Sequence, residues 1–104
     1  MISKLINAIN NHRLVTLVYC KDNDVESYPR KVEPYALYRN AKDEICLDAF
    51  QWCGDSETKK QWKFKIFKLE YIRQVHLGDV VKRGNRPEYK SDSPRYNNAI
   101  VKRS

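Results

Sequence analysis

The side chains with the clearest chemical potential are the lysines of "QWKFKIFKLEYIRQV", residues 61–75. Lys63 and Lys65 alternate with Trp62, Phe64 and Ile66, so an extended strand would set them on one face. After Ile66 the phase slips: Phe67, Leu69 and Tyr71 now alternate with Lys68 and Glu70. Ammonium groups in such a row offer point charges to phosphate, and Arg30, upstream, offers a bidentate fork. Arg73 extends the same basic stretch. Tyr19, Tyr35, Tyr38 and Trp52 provide planes on which a base could stack. Together these residue types suit a single-stranded nucleic acid or a nucleotide. The bland alternative for the lysines is a solvated strand face that deters edge-to-edge association.

Catalysis finds less support. Nucleophilic chemistry needs a nucleophile, a base and an orienting group within reach. His12 and His76 stand at a helix end and in a terminal strand, and Glu33, Asp43, Glu44, Asp48, Asp55, Glu57 and Glu70 are dispersed. No glycine-rich phosphate loop is present. The chain reads as a non-enzyme that needs no cofactor. Cys20, Cys46 and Cys53 lack C-x-x-C spacing, so no metal site is expected. They read as small buried or half-buried residues in a reducing cytoplasm, with a Cys46–Cys53 redox pair as the sharper alternative.

The elements that must position these residues follow from periodicity. Ile2, Leu5, Ile6 and Ile9 keep the spacing of one helical face, and Asn10 and Asn11 mark its end. Strands are expected at Leu14–Cys20, Arg30–Asn40, Ile45–Trp52, the lysine stretch, and Ile72–Leu77. Pro34 cannot donate to a ladder, so the second strand should be an edge or bulged there. Lys21–Asp24 and Ala41–Glu44 read as turns, and Cys53–Lys60 as a polar loop. A helix followed by five short strands predicts a mainly β fold: a small five-stranded Sm-like or SH3-type barrel. A bend with a bulge at Ile66–Phe67 would explain the phase slip. The competing explanation is that both faces are apolar there, the outer one covered by the amino-terminal helix.

The chain has 104 residues and a net charge of +7, which favours an anionic partner. Residues 1–78 hold 13 basic and 10 acidic side chains, residues 79–104 hold 7 and 3. The barrel domain is therefore expected over 1–78. Residues 79–104 read as a basic, flexible tail, although "AIVKRS" could pair as a strand. No apolar run suits a membrane span and no secretory signal is apparent, so a cytoplasmic location is expected.

In order and spacing, "AINNHRLVTLVY", "RKVEPYAL", "ICLDAF" and "FKLEYIRQV" resemble the WYL domain family of bacteria over roughly residues 2–77. Ile45, Cys46 and Leu47 fall where the name-giving Trp-Tyr-Leu belongs, and Tyr71 replaces an arginine. The resemblance implies an Sm-like barrel and a binding role in transcription regulation or phage defence. It also implies that Tyr19, Arg30, Lys65 and Lys68 match ligand-site positions. The rival reading is a protein-interaction module that docks on a regulator or forms a homodimer, using Tyr35, Tyr38 and Tyr96. Convergence of Arg30, Lys63, Lys65, Lys68 and Arg73 on one concave face with a tyrosine would favour ligand binding.

Overall fold

The computed structural model describes residues 1–20, 28–53, 63–82 and 84–103. The expected turn at 21–24, most of the loop at 53–60, and Trp62 lie outside them. Helix α1 (Ile2–Asn10) buries Leu5, Ala8 and Ile9, the face its spacing predicts. It is too short to persist alone and depends on that docking. His12, with φ of 53°, turns the chain into the first strand.

Six strands follow: β1 (Arg13–Tyr19), β2 (Tyr28–Arg39), β3 (Ile45–Cys53), β4 (Lys63–Lys68), β5 (Ile72–Val80) and β6 (Ala99–Lys102). A single 3-10 turn, Leu69–Tyr71, joins β4 to β5. The sheet runs β4-β3-β2-β1-β5 and every pairing is antiparallel. β3 follows β2 from residue 31 to 39, while β1 pairs with residues 28–32 and β6 with residues 36–38. β2 is thus the long central strand and passes from one neighbour to the other.

Two expectations are corrected here. The fold is mainly β, but it has six strands rather than five, and among the described residues β4 and β5 share no ladder, so the sheet is open rather than a closed barrel. The phase shift does not lie at Ile66–Phe67, because β4 pairs with β3 in unbroken register from Lys63 to Lys68. It lies in β2, where the register with β3 shifts between Pro34 and Ala36. Val32 and Leu37, of opposite parity, both reach the main core, while Glu33 and Tyr38 sit on the other side. Proline withholds its ladder donor, so the bulge forms where the pairing is weakest.

The main core joins α1 to Val15, Leu17, Val32, Leu37, Leu47 and Phe67. A second apolar cluster covers the opposite face, with Tyr35, Tyr38, Cys46, Phe50, Tyr89 and Tyr96 buried. β4 therefore has two apolar neighbours: Phe67 enters the first cluster and Phe64 packs on the second. That doubly covered sheet is why its apolar residues change parity without a bulge. The outer cover is not the helix but residues 84–103.

Those residues, expected as a flexible tail, are packed. The 3-10 turn Pro94–Tyr96 and strand β6 lie along the sheet, and Tyr89, Tyr96 and Arg103 are buried. Among the described residues no helix is long and apolar enough to cross a membrane. Cys46 and Cys53 stand seven residues apart on one extended strand, about 23 Å at ~3.3 Å per residue. That separation excludes a disulfide between them, which needs Cα atoms within about 7 Å.

Candidate functional site

Unbroken pairing of β4 with β3 gives Lys63, Lys65 and Phe67 one face. Phe67 is drawn into the main core, so the strand is anchored at that end. The two lysines continue the same face beyond the core. There they meet Tyr19, the last residue of β1, and Arg30, near the start of β2. The result is an open cleft of 820 Å³ lined by Tyr19, Arg30, Tyr71 and β4 from Lys63 to Lys68. Among the described residues four of the lining side chains are cationic and none is acidic.

Tyr19 is 7% exposed, so it is not a free stacking plane. Its ring meets Phe67 and Tyr71 edge-on, with centroids 5.1 and 6.0 Å apart. Its hydroxyl accepts the Lys68 backbone N–H at 3.1 Å and so ties β1 to the end of β4. Burial raises its pKa above the ordinary tyrosine value and keeps it neutral. Arg30 lies over this aromatic floor, its guanidinium carbon 5.6 Å from the Tyr19 ring centre and 5.9 Å from that of Phe67. Lys68 reaches the cleft from the other parity and pairs with Glu44 at 3.1 Å. The hydrogen bond and charge of Glu44 raise the Lys68 pKa. The Asn40 amide, then Lys68, lowers that of Glu44.

The cleft brings together five of the six expected residues: Tyr19, Arg30, Lys63, Lys65 and Lys68. Arg73 stands apart on β5, where its Nη2 donates to the Cys20 carbonyl at 3.3 Å. Sequence reasoning missed Tyr71, although its alternation with Leu69 and Phe67 was the available signal. Ile66, which alternation groups with Trp62 and Phe64, is 54% exposed.

With this geometry in view, the profile of the WYL domain family matches residues 1–77. The chain belongs to the WYL domain family. WYL domains are in general ligand-binding regulatory domains. No curated protein matches the chain. Among solved structures, proteasome accessory factor B/C (PafBC) of Arthrobacter aurescens is similar, with 11% identity and a TM-score of 0.67. The match covers 86% of this chain and 13% of that one, and at this identity it speaks to the fold.

The outer face of this WYL domain holds a buried polar network. Glu33 is fully buried within it. Its Oε2 accepts the Tyr35 hydroxyl at 2.8 Å and Arg103 Nη1 at 3.1 Å, and its Oε1 accepts Trp52 Nε1 at 3.1 Å. Asp48 accepts the hydroxyls of Tyr38 and Tyr96 at 2.8 and 2.7 Å, and Arg95 Nε lies 3.3 Å from Oδ2. Tyr35, Tyr38 and Tyr96 are all buried, which removes them both as stacking planes and as an exposed aromatic surface for a partner protein.

Burial raises the pKa of Tyr19, Tyr38, Tyr89 and Tyr96, and the hydrogen bonds to Asp48 add to the rise for Tyr38 and Tyr96. The folded state thus keeps these protons where the unfolded chain, titrating near 10, releases them. Their contribution is complete below pH 10 and declines as pH rises from there toward the folded values. Urea midpoints taken from pH 8 to 12 should hold level and then fall. A midpoint still level at pH 12 would count against tyrosine burial on this face.

Proposed function

We propose that this WYL domain binds a phosphate-bearing ligand, a single-stranded nucleic acid or nucleotide, in the cleft between β1, β2 and β4. One observation supports the reading: Arg30, Lys63, Lys65 and Lys68 meet in a single cleft, and among the described residues its lining has no carboxylate. Arg30 is preset by its aromatic floor, so its fork needs little ordering on binding. The site is non-catalytic, and the setting is regulatory, in transcription or phage defence, as for the family. The order β4-β3-β2-β1-β5 around a bent β2 supports kinship with Sm-like and SH3-type barrels.

The test is fluorescence anisotropy of labelled single-stranded RNA and DNA across a salt series. Four engaged cations predict log affinity falling with log salt at a slope of about −3. Absence of binding even at low salt would discard the reading and leave a protein partner, such as a regulator or a second copy of the chain.

A further inference from the structure

A second hollow, of 570 Å³, lies between the end of β2 and residues 94–98, and among the described residues it meets the basic cleft only at Ile66. The Asn98 carbonyl accepts the Arg39 backbone N–H at 3.2 Å, which fastens the later segment to the strand. Arg95, Asn97 and Asn98 line the hollow and come from beyond residues 1–77, the part that matches the family profile. The family match therefore does not account for it.

Arg39 and Arg95 both line this hollow, and among the described residues no carboxylate does. Each arginine has one carboxylate partner, but the two pairs differ. The Asp48 side chain, 5% exposed, lies 3.3 Å from Arg95 Nε and also accepts the hydroxyls of Tyr38 and Tyr96. It is committed to that network. With the Tyr38 hydroxyl accepting Arg95 Nη2 at 3.0 Å, it fixes the plane of the guanidinium. The Asp43 side chain, 83% exposed, lies 3.3 Å from Arg39 Nη1. A solvated pair of this kind contributes little, so Arg39 can exchange Asp43 for another carboxylate at small cost. Ile66, Pro94 and Cys46 give the hollow apolar walls. A concave space of several hundred Å³ with apolar walls and a few convergent polar groups is the form of a small-molecule site. Two arginines against two carboxylates leave no excess charge, which favours a monoanion in the place of Asp43 over a dianion.

We propose that this hollow binds a small organic acid, a single carboxylate on an apolar body. The carboxylate engages Arg95 and Arg39, whose forks suit it bidentately, and the body rests on Ile66 and Pro94. Asp43 is then a competitor carried by the chain itself, which the acid displaces from Arg39. This site stands independently of the cleft between β1, β2 and β4.

The experiment titrates the full chain with benzoate and hexanoate near pH 7 and follows proton–nitrogen correlation spectra, arginine Nε–H and asparagine amide signals included. Benzamide and hexanamide are the uncharged controls. The acids should shift the signals of Arg95, Asn97 and Asn98 with a Kd of about 1 mM or tighter, and leave those of Tyr19 and Arg30 in place. The amides should bind at least ~10-fold more weakly. Arg39→Gln should weaken benzoate ~10-fold with little change in melting, since only a solvated pair is lost. Asp43→Asn should tighten benzoate a few fold, because the competitor is gone. Asparagine tolerates the positive φ of 63° there, so the turn is kept. Arg95→Gln should weaken binding as well, but it leaves Asp48 buried without its cation, so the two surface variants carry the test. Wild-type affinity in both of them would overturn the proposal. So would equal shifts with acids and amides, shifts centred on Arg30 and Tyr19, or no shift with either acid. Phenyl phosphate binding ~10-fold tighter than benzoate would overturn it too, in favour of a dianion.

Discussion

Replacing Arg103 by methionine is expected to remove about 3–5 kcal/mol of folding stability, the cost of leaving one partner of a buried ion pair uncompensated. Both side chains of the Arg103–Glu33 pair are fully buried, 3.1 Å apart. Arg103 Nε also donates to the Pro34 carbonyl at 3.0 Å, and its guanidinium carbon lies 4.1 Å from the Tyr35 ring centre. Its Nη2 has no hydrogen bond among the described residues, a desolvation cost of about 1–3 kcal/mol. Stacking on Tyr35 offsets part of that cost. The pair is therefore poor evidence of net stabilisation, yet its disruption is severe. The loss is large against the roughly 5–15 kcal/mol that holds an ordinary domain together. Urea unfolding should show it as a lower midpoint. Glu33→Leu added to Arg103→Met should restore much of the loss, because no charge then remains buried. Single and double variants all within 1 kcal/mol of wild type would mean that Arg103 does not occupy this site in solution.

This pair also shows where sequence reasoning stopped. The helix and the five strands up to residue 77 were legible, since each carries a period of its own. The segment that supplies Arg103, Tyr89 and Tyr96 has none. Its order comes from partners some fifty to seventy positions away, Asp48 and Glu33 among them. A charged, turn-rich stretch looks the same whether it is solvated or laid over a sheet. The phase of β4 was ambiguous for a related reason. The change of apolar parity between Phe64 and Phe67 suits a bulge, and it equally suits a regular strand with apolar cover on both faces. Only the hidden cover, residues 84–103, decides between them. At Pro34 the sequence spoke more directly, because the missing donor is a property of the residue itself.

The cleft was legible to the extent that it rests on charge. The row of lysines and Arg30 could be read, whereas Lys68's commitment to Glu44 and the burial of Tyr19 needed the fold. That distinction shapes the largest functional effect expected. Arg30→Ala with Lys65→Ala should lower affinity for single-stranded nucleic acid about 100-fold or more at low salt. Each removes a charge-assisted contact of about 1.5–3 kcal/mol. The salt slope should fall from about −3 to about −1.5, since two of four engaged cations are gone. Arg30→Lys separates fork from charge: affinity should drop while the slope stays, because a point charge replaces bidentate geometry. Lys68→Ala should lower affinity only a few fold, because Glu44 already competes for the Lys68 ammonium. A double variant that binds with an unchanged slope would place the engaged charges elsewhere on this basic chain. Nonspecific attraction would then explain any affinity, since it needs only net charge and no arrangement of Arg30 over Tyr19.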